Sequence, residues 1–161
     1  MNSYSVLIGQ AVAVAVDAHT GHVDRDGLPH FFHCMRVAMK QENPDAMILG
    51  LLHDAIEDTD GQEEQEKLCK VIEEIFGKHI IDGCVILARN DGESYSSYIS
   101  RVIVSGDFNV MNVKKADIED NTSIGRVDMK AAKNFPMYKE AHVRLCEALG
   151  IQSDLSLSSQ E

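Results

Sequence analysis

The sequence predicts an all-α protein folded as one helical bundle, and three observations carry that prediction. Aliphatic residues are plentiful while aromatics make up 6 %, tryptophan is absent and only three prolines interrupt the chain. Apolar residues such as Leu68, Val71, Ile72 and Ile75 recur at helical spacing. At 161 residues the chain can bury one ordinary core and is too short for two.

Residues 4–19 read as a first helix, apolar over most of its surface and therefore expected to be central. Gly21 to Pro29 is a loop, broken by Asp26-Gly27 and Pro29. Phe31, Phe32, Met35, Val37, Ala38 and Met39 lie on a second helix, which ends before Asn43-Pro44. Pro44 and Asp45 suit the first turn of a third helix running to about Asp58. Gly61 breaks the chain, and QEEQEKLCKVIEEIFG makes an amphipathic fourth helix. Residues 78–89 form a short apolar helix, followed by a turn at Asn90-Asp91-Gly92. SYSSYISRVIVSG and FNVMNVKKADIEDN read as helices, although their β-branched residues also suit strands. Asn134 to Leu149 is the last helix, closed by Gly150. The folded domain thus spans 1–150, and 151–161 is a polar tail expected to fray.

A formal net charge of −11 argues against a nucleic-acid polymer or an acidic membrane as partner, since both demand basic surface. A small nucleotide needs only a few local cations and stays compatible. Cys34, Cys69, Cys84 and Cys146 form no C-x-x-C pair and suit buried thiols of a reducing compartment. The apolar N-terminal run lacks a basic start and is interrupted by Gln10, and no apolar stretch reaches transmembrane length. A cytoplasmic, soluble protein is expected. The apolar first helix could serve as a dimer face as readily as a core element, so a homo-oligomer stays open.

The chemistry concentrates in LLHDAIEDTD. His53, Asp54, Glu57 and Asp58 put four ionisable groups into six residues of an otherwise apolar segment. Charge there is costly unless paired, and a divalent metal is the strongest available partner. Adjacent helical positions diverge by about 100°, so His53 and Asp54 can share an ion only if other helices close its far side. His33 and Asp117 are the candidates for closing it. Two imidazoles and two carboxylates suit manganese, iron, magnesium or zinc, and leave a six-coordinate ion room for water and a substrate oxygen. Glu57 follows His53 by four residues and Asp58 follows Asp54 by four, so each is a candidate general base or acid one turn on. Arg25, Lys114 and Arg126, with Arg36 beside His33, are the candidate phosphate cations. The remaining histidines, including His19, His22 and His30, lack such companions and read as packing or surface residues.

Four blocks then resemble a known family in order: AVDAHTGHVDRDGLPHFFHCMRVA, GLLHDAIEDTD, IFGKHIIDGCVILAR and VKKADIEDN. They are similar to the HD-domain metal-dependent phosphohydrolases, and within them to the hydrolase domain of Rel/Spo-type (p)ppGpp enzymes and the stand-alone small alarmone hydrolases. The likeness runs from about Ala11 to Gly150. It implies a single HD-domain helical bundle that binds one divalent ion, manganese first, through His33, His53, Asp54 and Asp117. Glu57 and Asp58 would orient or deprotonate water, and Arg25 and Asn121 would face a nucleotide losing its 3′-pyrophosphate. The chain departs from the pattern where Asp26 follows Arg25, where His30 replaces an aromatic, and where Ile118 and Glu119 follow Asp117. Two further readings accompany the first: a nucleotidase or nucleoside triphosphohydrolase, and a non-catalytic metal- or nucleotide-binding module.

Overall fold

The computed structural model describes residues 3–24, 27–123 and 129–155, without the side chains of 129–132. Among these residues the regular elements are all helices: α1 (Ser3–Ala18), α2 (Phe31–Met39), α3 (Pro44–Leu52), α4 (Gln62–Phe76), α5 (Lys78–Leu87), α6 (Tyr95–Val104), α7 (Phe108–Asn121) and α8 (Met129–Leu149). The all-α expectation holds. No described helix is long and apolar enough to cross a membrane.

The helix at the centre is α3. It buries Ala46, Ile48, Leu49, Gly50, Leu51 and Leu52 and touches α1, α2, α5 and α7. Asn43 starts it by accepting the Ala46 N–H at 2.9 Å, with Pro44 supplying a preset φ in the first turn. Its neighbours come close because two contacts have no room for a side chain. A Cβ on Gly50 would lie 2.8 Å from Ala38 Cα on α2, and one on Gly83 would lie 2.6 Å from Leu49 Cδ2. Small residues thus set how near α2 and α5 stand to the central helix.

Several boundaries differ from those expected. The first helix is peripheral: only Ala11 and Ala15 are buried on α1, while Tyr4, Val6 and Val16 face outward. Regular α3 stops at Leu52 instead of Asp58, and the chain continues as turns, with Ala55 N–H bonded to the Leu52 carbonyl and Asp58 N–H to that of Asp54. The two ambiguous segments are helices because each has a strong N-cap. Ser94 Oγ accepts the Ser97 N–H at 3.1 Å, and Asp107 Oδ1 accepts the N–H groups of Asn109 and Val110. The last helix starts at Met129, five residues early, and carries Pro136 inside it. The described part of the tail is docked: Ser153 Oγ lies 2.7 Å from His142 Nδ1, and Leu155 packs on the core.

Candidate metal centre

The end of α3 shapes the site. Its last carbonyls have no helical partner, and His53, the residue that caps it, gives its Nδ1–H to the Gly50 carbonyl at 2.9 Å. That bond commits Nδ1 to the backbone and leaves Nε2 as the ring atom turned into the site, open to a proton or to an ion. The atom is buried and makes no hydrogen bond. It faces Asp54 Oδ2 at 3.1 Å and Asp117 Oδ1 at 3.8 Å.

Helix α2 brings His33 to the same point, its ring centroid 5.2 Å from that of His53. His33 Nε2 lies 3.1 Å from Asp117 Oδ1 and 3.6 Å from Asp54 Oδ2. Its other nitrogen meets Asp120 Oδ2 at 2.7 Å, and Asp120 in turn accepts Arg36 Nε at 2.8 Å. Asp117 is steadied by its own helix: Lys114 Nζ donates to Oδ2 at 2.6 Å and Asn121 Nδ2 to Oδ1 at 2.5 Å. His53, His33 and Asp117 therefore each have a polar partner behind them.

Charges in this pocket sustain each other. Burial disfavours the His33 cation, yet Asp117 and Asp120 raise its pKa to about 9. Burial likewise opposes the His53 cation, and Asp54 and Asp117 carry it up to about 10. Asp117, despite burial, is held well below the usual carboxylate range by Lys114, His33 and His53, and Asp54 by His53 and His30. Protons thus occupy the imidazoles where a cation would otherwise satisfy the carboxylates.

The four expected ligands His33, His53, Asp54 and Asp117 are brought together. The ligand atoms of His33, His53 and Asp117 lie within 4.8 Å of one another. The unpartnered Nε2 of His53 and the two carboxylates facing it fit a divalent ion with mixed nitrogen and oxygen ligands.

The expected acid–base pair is split. Asp58 Oδ2 faces three histidines, 3.2 Å from His19 Nδ1, 3.5 Å from His30 Nε2 and 4.0 Å from His22 Nδ1. Glu57 is exposed, and its carboxylate accepts the Arg89 N–H at 3.1 Å. Lys114 is buried, its ammonium bound to Asp117 and 4.8 Å from the Tyr98 ring centre. Asn121 also faces Asp117, whereas Arg25 and Arg126 lie outside the described residues. Sequence reasoning missed Asp120, although its position three residues after Asp117 puts both on one face of α7. It also missed His19, His22 and His30, whose carboxylate partner is brought to them by the turn after α3.

Comparison with known proteins places this geometry. The chain is 28 % identical over 132 residues to a protein of Myxococcus xanthus named GTP pyrophosphokinase, a match covering 71 % of this chain and 16 % of the relative. The chain thus spans less than a fifth of that relative's length. A solved structure described as "A metazoan ortholog of SpoT hydrolyzes ppGpp and plays a role in starvation responses" superposes with a TM-score of 0.68 at 15 % identity, covering 92 % of this chain and 88 % of that one. The HD domain family model matches residues 27–116, more than half of the chain, ending one residue before Asp117. With His33, His53 and Asp54 inside that match, the chain belongs to the HD-domain family.

Proposed function

We propose that this chain is a metal-dependent phosphohydrolase that removes the 3′-pyrophosphate of a (p)ppGpp-like nucleotide, with residues 1–150 as its working unit. The observation that carries this reading is the buried, unpartnered Nε2 of His53 aimed at Asp54 and Asp117 in an HD-family chain. The substrate class is supported by the name of the Myxococcus relative and by the described activity of the metazoan protein of similar fold.

His33, His53, Asp54 and Asp117 would hold one divalent ion, with manganese our first choice for a set of two imidazoles and two carboxylates. Such an ion supplies a Lewis acid that polarises a phosphoryl oxygen and lowers the pKa of water. The chain's own groups do the rest. Lys114 and Asn121 fix the Asp117 carboxylate, while Asp120 and Arg36 orient the His33 ring. Asp58, at the partly open edge of the site, is placed to take a proton from water entering there. Glu57, one residue earlier and exposed beside the Arg89 backbone, is proposed to hold water at the edge of the site in a supporting role. Arg25 and Arg126 are proposed substrate contacts.

The test is product release by EDTA-stripped protein, with and without Mn²⁺, on ppGpp, GTP, deoxynucleoside triphosphates and nucleoside monophosphates. Pyrophosphate from ppGpp only in the presence of metal is the expected result. Turnover confined to a mono- or triphosphate would replace the alarmone by the nucleotidase reading. That second reading is favoured, for a nucleotide with few phosphates, by the cleft of about 480 Å³ beside Asp58, where Asp17, Asp60 and Glu64 outnumber Lys67.

A further inference from the structure

A chain of imidazoles continues outward from the first centre. Ring centroids run from His53 to His33 at 5.2 Å, to His30 at 5.2 Å, to His19 at 4.7 Å and to His22 at 6.3 Å. Histidines at such spacing are unusual packing material, and the outer three, His19, His22 and His30, converge on one oxygen, Asp58 Oδ2.

Backbone contacts hold this group in place. The His22 N–H bonds to the His19 carbonyl, and the His30 N–H bonds back to the His22 carbonyl, both at 3.0 Å. The loop between them is closed by the Val23–Pro29 bridge and by the Asp24 N–H to Leu28 carbonyl bond at 2.7 Å. His22 and His30 are thus pinned side by side beneath the end of α1, which delivers His19.

The state of His19 points to a missing partner. Its side chain is fully buried, and Nε2 sits 3.5 Å from Cys34 Sγ. Its Nδ1 lies 3.2 Å from Asp58 Oδ2 and yet makes no hydrogen bond with it. A ring nitrogen and a carboxylate oxygen at that distance, off the line a hydrogen bond needs, are positioned as two edges of a coordination shell. For metal–ligand bonds near 2.0–2.1 Å, tetrahedral ligands stand about 3.3 Å apart. The separations from Asp58 Oδ2 to His19 and His30 bracket that value, and His22 lies slightly beyond it.

We propose that His19, His22, His30 and Asp58 form a second divalent-cation site, adjoining the first through Asp54. The junction is direct: Asp54 Oδ2 lies 3.0 Å from His30 Nε2 and 3.1 Å from His53 Nε2, so one carboxylate reaches both sites. Three imidazoles and a carboxylate select a borderline transition ion such as Zn²⁺, Mn²⁺ or Fe²⁺ over Ca²⁺ or Mg²⁺. A second cation here also offsets the acidic excess of the cleft beside Asp58, where among the described residues Lys67 alone faces Asp17, Asp60 and Glu64 as a fixed positive charge, and so gives an approaching phosphate a further counter-charge. The site does not require the hydrolase reading, and where an ion fills it Asp58 serves as a ligand in place of the base role proposed above.

The experiment counts ions on the full chain. EDTA-stripped protein is loaded with excess Mn²⁺ or Zn²⁺, freed of unbound metal, and its metal content determined, with the Mn²⁺ form also measured by electron paramagnetic resonance. Two ions per chain and an exchange-coupled Mn²⁺ pair are expected, since paired ions in such centres stand about 3.5–4 Å apart. The variants H19N/H22A and D58N should each bind one ion and lose the coupled signal. H53N should also keep one ion, the other one. Thermal melts confirm that each variant is folded, and D58N, at a partly exposed side chain, serves if the buried His19 substitution is not tolerated. A wild-type count of one that H53N abolishes and D58N leaves intact overturns the second site and upholds the first. A count of one that D58N abolishes and H53N leaves intact upholds the second site and overturns the first. Absence of bound metal overturns both.

Discussion

At the scale of single residues, the two acidic side chains after the His-Asp pair have different surroundings and should behave differently. Asp58 faces the histidine cluster, whereas Glu57 faces the Arg89 backbone. D58N is therefore expected to lower kcat by about 10²–10⁴-fold with one ion bound per chain, the usual contribution of a positioned acid–base group. E57A should leave metal content unchanged and cost far less, and steady-state kinetics of the pair separates them. Protons give a second prediction. His33 and His53 stay protonated to about 9 and 10, so a cation entering the site must expel those protons. Apparent Mn²⁺ affinity should climb as pH rises towards that range, and calorimetry in buffers of different ionisation enthalpy should register proton release. The sign for stability of the metal-free protein is opposite. Contacts of the two imidazolium groups contribute fully below the ordinary histidine value of 6.5 and are lost as pH rises through 9 to 10. His53 and Asp54 stood out in the sequence because charges in an apolar segment demand a partner, whereas His33 and Asp117 as candidate ligands rested on the likeness to the HD family. Asp120 offered only its spacing of three from Asp117 as a signal, and His30 offered none, since their partners, Arg36 with His33 and Asp54, are supplied by distant parts of the chain.

At the scale of elements, the crossing of α2 and α3 fixes the distance between two of the inward-facing histidines. G50A would push a methyl against Ala38 Cα, and α2 can answer only by moving away. Overpacking of this kind costs about 1–3 kcal/mol. Urea denaturation should show that loss, accompanied by weaker Mn²⁺ binding as the His33 and His53 rings separate. Helical periodicity and breakers located the elements well, and Ser94 and Asp107 explain why β-branched α6 and α7 are helices nonetheless. The end of α3 was not legible. Apolar spacing continues past Leu52, but the imidazole of His53 takes the Gly50 carbonyl and the chain tightens into turns. Nor could composition say that α1 would be covered on one face only, because that depends on which helices arrive beside it.

At the scale of the whole molecule, a net charge of −11 surrounds a site proposed to accept a polyphosphate. Long-range repulsion slows such an encounter, and added salt screens it, with a Debye length of about 10 Å at 0.1 M. For a ppGpp-like substrate kcat/KM should therefore rise by a small factor between low salt and about 0.1 M, the reverse of electrostatic steering; a stopped-flow or initial-rate series at saturating metal checks it. The arrangement of the centre also bears on how the protein comes into being. His33 and Asp120 touch across 87 positions of sequence, and Asp117 stands just before that far end. Bringing such distant points together carries the entropy of closing a long loop, offset only once the intervening helices have condensed. During synthesis the nascent chain exposes His33 and His53 well before α7 emerges, so it can hold an ion at this centre only loosely until then. Tight capture by this centre is thus a late event in the birth of the protein, and an ion retained there reports that the last third of the chain has found its place.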